Sequence, residues 1–244
     1  MNSSTPVVFL HGFATSTDRT WREPGWFDLV TEGGRRPVGI DLLGHGSSPK
    51  PHEPEAYAAL TDLVIDKLPV SADGSAIRQI DMVGYSLGAR TALDIAIRHP
   101  DLIDRLVLGG VGENLVRGGS QSDMTADHHE TDNHETDNHE SDNVGYRFEG
   151  LISSADNDPE ALAALRTWMA DNAQSFTAEQ LAEVKSRCLL VIGDEDFVGR
   201  PEPLADLLGN ADTVVLPGVD HFSLPKQFAF IDAALEFLDA VPKW

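Results

Sequence analysis

Three short stretches hold the residue types of nucleophilic catalysis, and they occur in the order Ser, Asp, His. The first is GYSLG at 84–88, where the apolar run QIDMV (79–83) meets helix-like spacing. Gly-x-Ser-x-Gly between a strand and a helix is a nucleophile elbow: a tight turn projects the Ser86 hydroxyl, and a Cβ at a flanking position would hit the next element. A serine hydroxyl is a weak nucleophile. It needs a general base, and the base needs a carboxylate to orient it. LPGVDHFSLP places His221 in a loop after the last apolar run, where such a base belongs. VIGDEDFVGRP offers Asp194, Glu195 and Asp196. Asp196 is preferred, because it lies just past the strand end within reach of the histidine loop, and Asp194 is the alternative. Charge developing on a carbonyl oxygen also needs donors. The backbone N–H of Leu87, at a helix start, is one candidate. The N–H of Phe13 in HGF (11–13) is the other, with Gly12 allowing close approach. His11 and His45 read as structural hydrogen-bonders.

The elements that must position these residues follow a simple rhythm. PVVFL (6–10), PVGID (37–41), QIDMV (79–83), RLVLGG (105–110), CLLVIG (188–193) and DTVVLP (212–217) read as buried strands. Helical spacing occupies 53–68, 87–99, 201–208 and 225–241. In the last, Phe228, Ile231, Leu235 and Leu238 share an apolar face. Alternating strands and helices imply an α/β fold with a mostly parallel sheet flanked by helices. The interval from 112 to 187 is far longer than a crossover requires. It reads as a cap or lid with helices over 159–172 and 178–187, inserted into a core formed by 1–111 and 188–244. Inside it, HETDN–HETDN–HESDN (129–143) repeats one pentapeptide three times. Such a polar tract cannot bury enough surface to order itself, and it lacks the glycine and spacing of a calcium loop. A solvated loop over 123–143 is the expectation.

Bulk properties narrow the class. The 244 residues carry 18 Lys and Arg against 40 Asp and Glu, a net charge of −22. Eight of the acids lie in 123–143, so the rest still carries −14. A surface this acidic repels nucleic acid and anionic lipid. No apolar run is long enough to span a bilayer. MNSSTPVVFLHGF lacks a basic n-region and a cleavage site, and the single Cys188 forms no internal disulfide. A cytoplasmic protein is expected, monomeric or homodimeric, with a small-molecule ester as its partner and no metal or other cofactor.

VVFLHGF, IDLLGHGSSPKP, GYSLGARTALDIAIRHPDLIDRLVLGG, VIGDEDFV and GVDHF together resemble the α/β-hydrolase fold superfamily, in its serine-nucleophile, carboxylesterase-like branch. The resemblance implies an eight-stranded, mostly parallel sheet, a small cap inserted after the sixth strand and a Ser86–Asp196–His221 triad. Dehalogenases and epoxide hydrolases of this fold carry an aspartate where Ser86 stands, so acyl chemistry is favoured. The leading reading is cleavage of small to medium acyl esters, with Tyr85 and Phe222 at the acyl pocket. GYSLGAR, with Arg90 four residues after the serine, is also similar to the branch that makes 2-succinyl-6-hydroxy-2,4-cyclohexadiene-1-carboxylate, where arginines grip substrate carboxylates. A carbon–carbon bond hydrolase using the same triad is a further alternative, and a slow-turnover binder is a non-enzymatic one.

Overall fold

The computed structural model describes residues 5–70, 79–116, 138–154, 156–172 and 175–242, the helix start 138–143 by its backbone alone. Its centre is a parallel sheet of six strands: β1 (Pro6–Leu10), β2 (Arg36–Ile40), β3 (Ile80–Tyr85), β4 (Ile103–Gly109), β5 (Arg187–Gly193) and β6 (Ala211–Leu216). They lie in the order β2-β1-β3-β4-β5-β6. These are the six segments that read as strands. The eight implied by family resemblance are not found among the described residues, so the long insertion follows the fourth strand in chain order.

The inner strands are continuous apolar runs because both of their faces are covered. Val8, Leu10, Met82, Leu106, Leu108 and Leu190 face one core layer, with Leu93 and Ile95 of α3 (Leu87–Arg98) and Leu204 of a C-terminal helix. Their alternates Val7, Phe9, Val83, Val107 and Val191 face the other, with Trp26 and Val30 of α1 (Trp26–Glu32). The period of two thus assigns neighbouring residues to opposite layers. The edge strands differ from expectation. β6 has only Leu216 buried, and Val215 is 46% exposed, because a strand at the sheet margin lacks a neighbour on one side. In α8 (Phe228–Phe237) the inward face is Phe230, Ile231, Ala234 and Leu235. Phe228 opens the helix and is 79% exposed, so the expected face turns on Phe230 instead.

The remaining helices are α2 (Leu60–Asp66), α4 (Asn138–Ile152), α5 (Pro159–Asn172), α6 (Ala178–Ala182) and α7 (Glu202–Leu208). α4 was not expected. It takes in the end of the pentapeptide repeat, so the loop expected over 123–143 does not extend to Asn143. Residues 123–137 lie outside the described residues. The α5 expectation, 159–172, is met. Over 178–187 helix occupies only Ala178–Ala182, started by a capping box of Thr177 and Gln180. No described helix is long and apolar enough to cross a membrane.

The chain runs from β1 outward to β2, then returns to place β3 on the other side of β1. The connections that leave the carboxyl ends of β1 and β3 therefore run to opposite sides of the sheet, and the strand order reverses there, the place where parallel sheets bind ligands. The loop after β1 carries Phe13, and the turn after β3 carries Ser86.

Candidate active site

Ser86 sits between β3 and α3 with φ 54° and ψ −115°, a conformation that side chains with a Cβ rarely adopt. Its N–H donates to Gly109 O of β4 at 2.9 Å, and its carbonyl accepts the N–H of Arg90 at 3.0 Å. The strain is tolerated because the neighbours are packed without slack. A Cβ on Gly84 would stand 2.6 Å from the Ala89 Cα, and one on Gly88 would stand 2.2 Å from the Leu10 carbonyl oxygen. Both glycines of the motif are thus required by close approach of helix and strand.

The Ser86 hydroxyl lies 3.0 Å from His221 Nε2. His221 Nδ1 lies 3.0 Å from each carboxylate oxygen of Asp196. Oδ1 of Asp196 also accepts the N–H of Val198 at 3.1 Å. The histidine is 2% exposed and the aspartate 8%. The order Ser–His–Asp is therefore one continuous hydrogen-bonded line from a part-buried serine into the protein. Among the three acids of the 194–196 run, only Asp196 meets the imidazole. Asp194 is exposed and accepts the N–H of Gly218 at 2.6 Å, closing the turn after β6. Glu195 is exposed.

The loop after β1 passes directly against the serine, since a Cβ on Gly12 would lie 3.4 Å from Ser86 Cβ. Leu87 is the first residue of α3, where helix geometry gives the N–H no intrahelical acceptor. Two buried histidines hold the loop from below. His11 Nδ1–H donates to Gly12 O at 2.8 Å, and its Nε2 accepts the N–H of Leu42 at 3.0 Å. His45 Nδ1–H donates to Leu43 O at 3.0 Å, and its Nε2 accepts the N–H of Ala14 at 3.0 Å. Each ring donates at one nitrogen and accepts at the other, so both must be neutral. Burial pushes both pKa values down, that of His45 to about 3, with His11 adding to the depression. Beside them, burial alone would raise the Asp41 carboxyl. Donors from Ser47 and Thr17 outweigh it and hold the group down at about 2.

A pH prediction follows from these two signs. A depressed histidine is neutral in the fold and protonated in the unfolded chain below its ordinary value, so its contribution is complete above about pH 6.5 and declines as pH falls. For His45 the decline is about 1.4 kcal/mol per pH unit below about 6.5, continuing toward its folded value. The Asp41 contribution is lost only lower, between its ordinary value of 3.8 and about 2. Denaturant unfolding at pH 7.5 and 5.0 is expected to show the histidine loss in the wild type. His45→Gln is expected to show a shallower fall, by about one histidine's share. Equal slopes for the two proteins would contradict it.

Aromatic rings surround the open side of His221. Phe197 lies 4.5 Å from the imidazole, centroid to centroid, and Phe222 lies 5.7 Å away. Phe148 of α4 packs on Phe222 at 5.0 Å and on Phe13 and Phe197 at 6.2 Å. Arg147 lies 4.2 Å over the Phe222 ring and pairs with Asp220, whose pKa burial would raise but the bonds from Arg147 and Ser223 lower. From the sequence Phe148 is one of several aromatics that could line a pocket, with no position to single it out, and Phe197 and Arg147 are not placed at the site. Phe197 had a signal, since it directly follows the acid. Phe148 and Arg147 had none, because α4 was not expected.

Two other expected contact residues are placed differently. Tyr85 is 7% exposed, and its hydroxyl donates to the backbone carbonyl of His221 at 2.6 Å. Its ring packs 5.2 Å from the imidazole, so it braces the histidine loop instead of lining a pocket. Arg90 stacks 4.8 Å over the Phe176 ring. Trp21 and Trp26 are fully buried around Phe9 and belong to the core. Among the described residues no group of His, Cys, Asp or Glu is arranged to hold a metal ion. Burial raises the Cys188 thiol to about 12, which keeps it protonated.

A family model described as the alpha/beta hydrolase family matches residues 7–237. The chain belongs to the alpha/beta hydrolase family, as its motifs implied. It is 24% identical over 262 residues to a putative 2-succinyl-6-hydroxy-2,4-cyclohexadiene-1-carboxylate synthase of Bacillus subtilis, covering 98% of this chain and 92% of that protein. It is 34% identical over 104 residues to the mouse (Mus musculus) sn-1-specific diacylglycerol lipase ABHD11, covering 42% of this chain but only 31% of the lipase. Among solved structures it is similar to 2-hydroxy-6-oxo-6-phenylhexa-2,4-dienoate hydrolase from Rhodococcus sp. strain RHA1. That likeness has a TM-score of 0.68 at 19% identity and covers 98% of this chain and 92% of that one. At such identity it concerns the fold alone.

Proposed function

We propose that this protein is a serine hydrolase that cleaves carboxylic esters of small to medium acyl chain. The observation that carries the reading is the line from Ser86 Oγ through His221 to Asp196, with 3.0 Å at each step. In this reading His221 Nε2 takes the hydroxyl proton as Ser86 attacks the ester carbonyl. Asp196 holds the imidazole tautomer and stabilises the imidazolium. The N–H groups of Phe13 and Leu87 receive the oxyanion. His221 then protonates the leaving alcohol, an acyl-enzyme remains, and water activated by His221 releases the acid. The aromatic rings of Phe148, Phe197 and Phe222 favour an apolar acyl group. Residues 112–187 act as the cap on a core of 1–111 and 188–244. The acidic surface suits a neutral substrate better than a polyanion, and a cytoplasmic setting fits the same reading.

A second reading is supported by the Bacillus relative, which aligns over 98% of this chain, and by Arg90 in GYSLGAR. In it the Ser86–His221 pair abstracts a proton in a lyase reaction. Against it, the guanidinium of Arg90 is engaged with Phe176. A carbon–carbon hydrolase would use the same residues.

The test is a p-nitrophenyl ester series from acetate to palmitate, run beside labelling by a fluorophosphonate and mapping of the adduct by mass spectrometry. Turnover peaking at a short or medium chain, with the label on Ser86, is expected. A folded, Ser86-labelled protein that turns over no ester would overturn the esterase reading in favour of the lyase or the carbon–carbon hydrolase.

A further inference from the structure

The long insertion meets the loop after β1 through the Phe148 ring on Phe13 and, one residue further along, through an amide. Asn157 stands in the connection between α4 and α5. Its Nδ2 donates to Ala14 O at 2.9 Å and to Leu151 O at 2.8 Å, and it lies 3.1 Å from Ser154 Oγ. Ala14 directly follows Phe13 and has φ 58°, a conformation that costs a residue with a Cβ about 1–2 kcal/mol. Something must hold such a turn in place.

Three side chains hold it, each at a different peptide. His11 fixes the peptide that presents the Phe13 N–H, through the carbonyl of Gly12. His45 fixes the next peptide, through the N–H of Ala14. Asn157 fixes the one after, through the carbonyl of Ala14. The histidines belong to the body of the sheet domain, and Asn157 belongs to the insertion. The same connection is clamped beside it, where Arg19 donates to Ser154 Oγ at 2.9 Å and to Asp156 at 2.7 Å. That pair is exposed on the Asp156 side and contributes little by itself.

We infer that Asn157 is a positioning residue for the oxyanion donor: docking of the insertion onto Ala14 aims the Phe13 N–H, so the insertion helps complete the reactive site as well as cover it. The inference rests on the serine-hydrolase reading. A donor displaced by a fraction of an ångström loses much of its value for the transition state but little for the ground state.

The experiment compares Asn157→Ala, Asn157→Asp and Ser154→Ala with the wild type, using the p-nitrophenyl ester that the wild type cleaves best. The aspartate keeps the size of the side chain but turns an acceptor toward the Ala14 carbonyl. Ser154→Ala removes the Arg19 contact and one contact of the Asn157 amide, but leaves the amide its bonds to Ala14 O and Leu151 O. For both Asn157 variants kcat is expected to fall about tenfold to a hundredfold, with KM changed less than about threefold. Affinity for a trifluoromethyl ketone, whose bound hemiketal carries the oxyanion, is expected to fall by a similar factor. Ser154→Ala is expected to stay within about twofold of wild type, since the bond from Asn157 to the Ala14 carbonyl remains. Wild-type kcat and ketone affinity in either folded Asn157 variant, whatever its Tm, would overturn the inference. So would equal losses in Ser154→Ala and Asn157→Ala. A wild type that cleaves no ester and takes no label at Ser86 would count against the hydrolase reading itself, a result distinct from active but indifferent variants.

Discussion

Ser86→Ala is expected to lower kcat on the best p-nitrophenyl ester by about 10⁵- to 10⁶-fold, with a folded protein and an unchanged Tm. The size follows from the geometry. The hydroxyl is 3.0 Å from the only base in the line, and the imidazole is 2% exposed, so water cannot easily take the place of the serine oxygen. His221→Ala is expected to cost about as much, and the double variant no more than either, because groups that act as one unit are not additive. Asp196→Asn is expected to cost about 10⁴-fold, since an amide can donate to Nδ1 and so select the wrong tautomer. Release of p-nitrophenolate, referenced to the concentration of folded protein from absorbance and circular dichroism, measures all four. Ser86→Ala retaining turnover within tenfold of wild type would remove Ser86 from the mechanism. So would a double variant far below both singles.

The elements that carry this site were legible because burial and close packing leave a mark on composition. Strands β1, β3, β4 and β5 are covered on both faces toward their carboxyl ends, which demands apolar runs there, and such runs stand out between helical stretches. GYSLG was legible for a similar reason: Gly84 and Gly88 occupy positions where backbone meets backbone. Choosing Asp196 over Asp194 rested on distance from the strand end, and the structure places only Asp196 against His221. What escaped was set by tertiary context. α4 begins NHESDNVG, a polar start that gives no helical stripe, and its apolar contacts come only when Phe148 meets Phe13 and Phe222 from distant parts of the chain. Tyr85 looks like pocket lining from its place beside the serine. Its direction is fixed by strand alternation, which turns it toward the layer of Val83 and away from that of Met82. The count of eight strands came from resemblance, whereas the residues themselves supplied six.

The same division separates the site from what stabilises the sheet beneath it. At the other end of β3, Arg35 and Asp81 form a pair whose side chains are 8% and 3% exposed. Arg35 Nη2 donates to Asp81 at 2.5 Å, Nη1 donates to Leu238 O at 2.5 Å, and Thr5 O accepts from both Nε and Nη2 at 3.1 and 3.0 Å. The second oxygen of Asp81 accepts the N–H of Arg105 at 3.1 Å. One guanidinium thus ties the start of β1, the interior of β3 and the end of α8 together. Arg35→Ala strands a carboxylate in a dry site and leaves two carbonyls without their donor. The expected cost is about 3–5 kcal/mol, which for a domain of this size lowers Tm by about 10 °C. Its pH dependence has a definite sign. Burial raises the Asp81 pKa, with the bonds from Arg35 opposing it, so removing Arg35 raises it further. A raised carboxylate costs stability at pH values above its folded pKa and costs progressively less as acid protonates it. The difference between variant and wild type is therefore expected to shrink as pH falls through the raised Asp81 pKa, although both proteins weaken in acid as His11 and His45 demand protons. Asp81→Asn in the Arg35→Ala background is expected to recover part of the loss at pH 7 and almost none at low pH, because it removes the charge that the first substitution abandoned. Urea unfolding of these three proteins and of Asp81→Asn alone, at pH 7 and at low pH, supplies the cycle. A penalty for Arg35→Ala that is below 1 kcal/mol, or that grows as pH falls, would show that the pair does not carry this load.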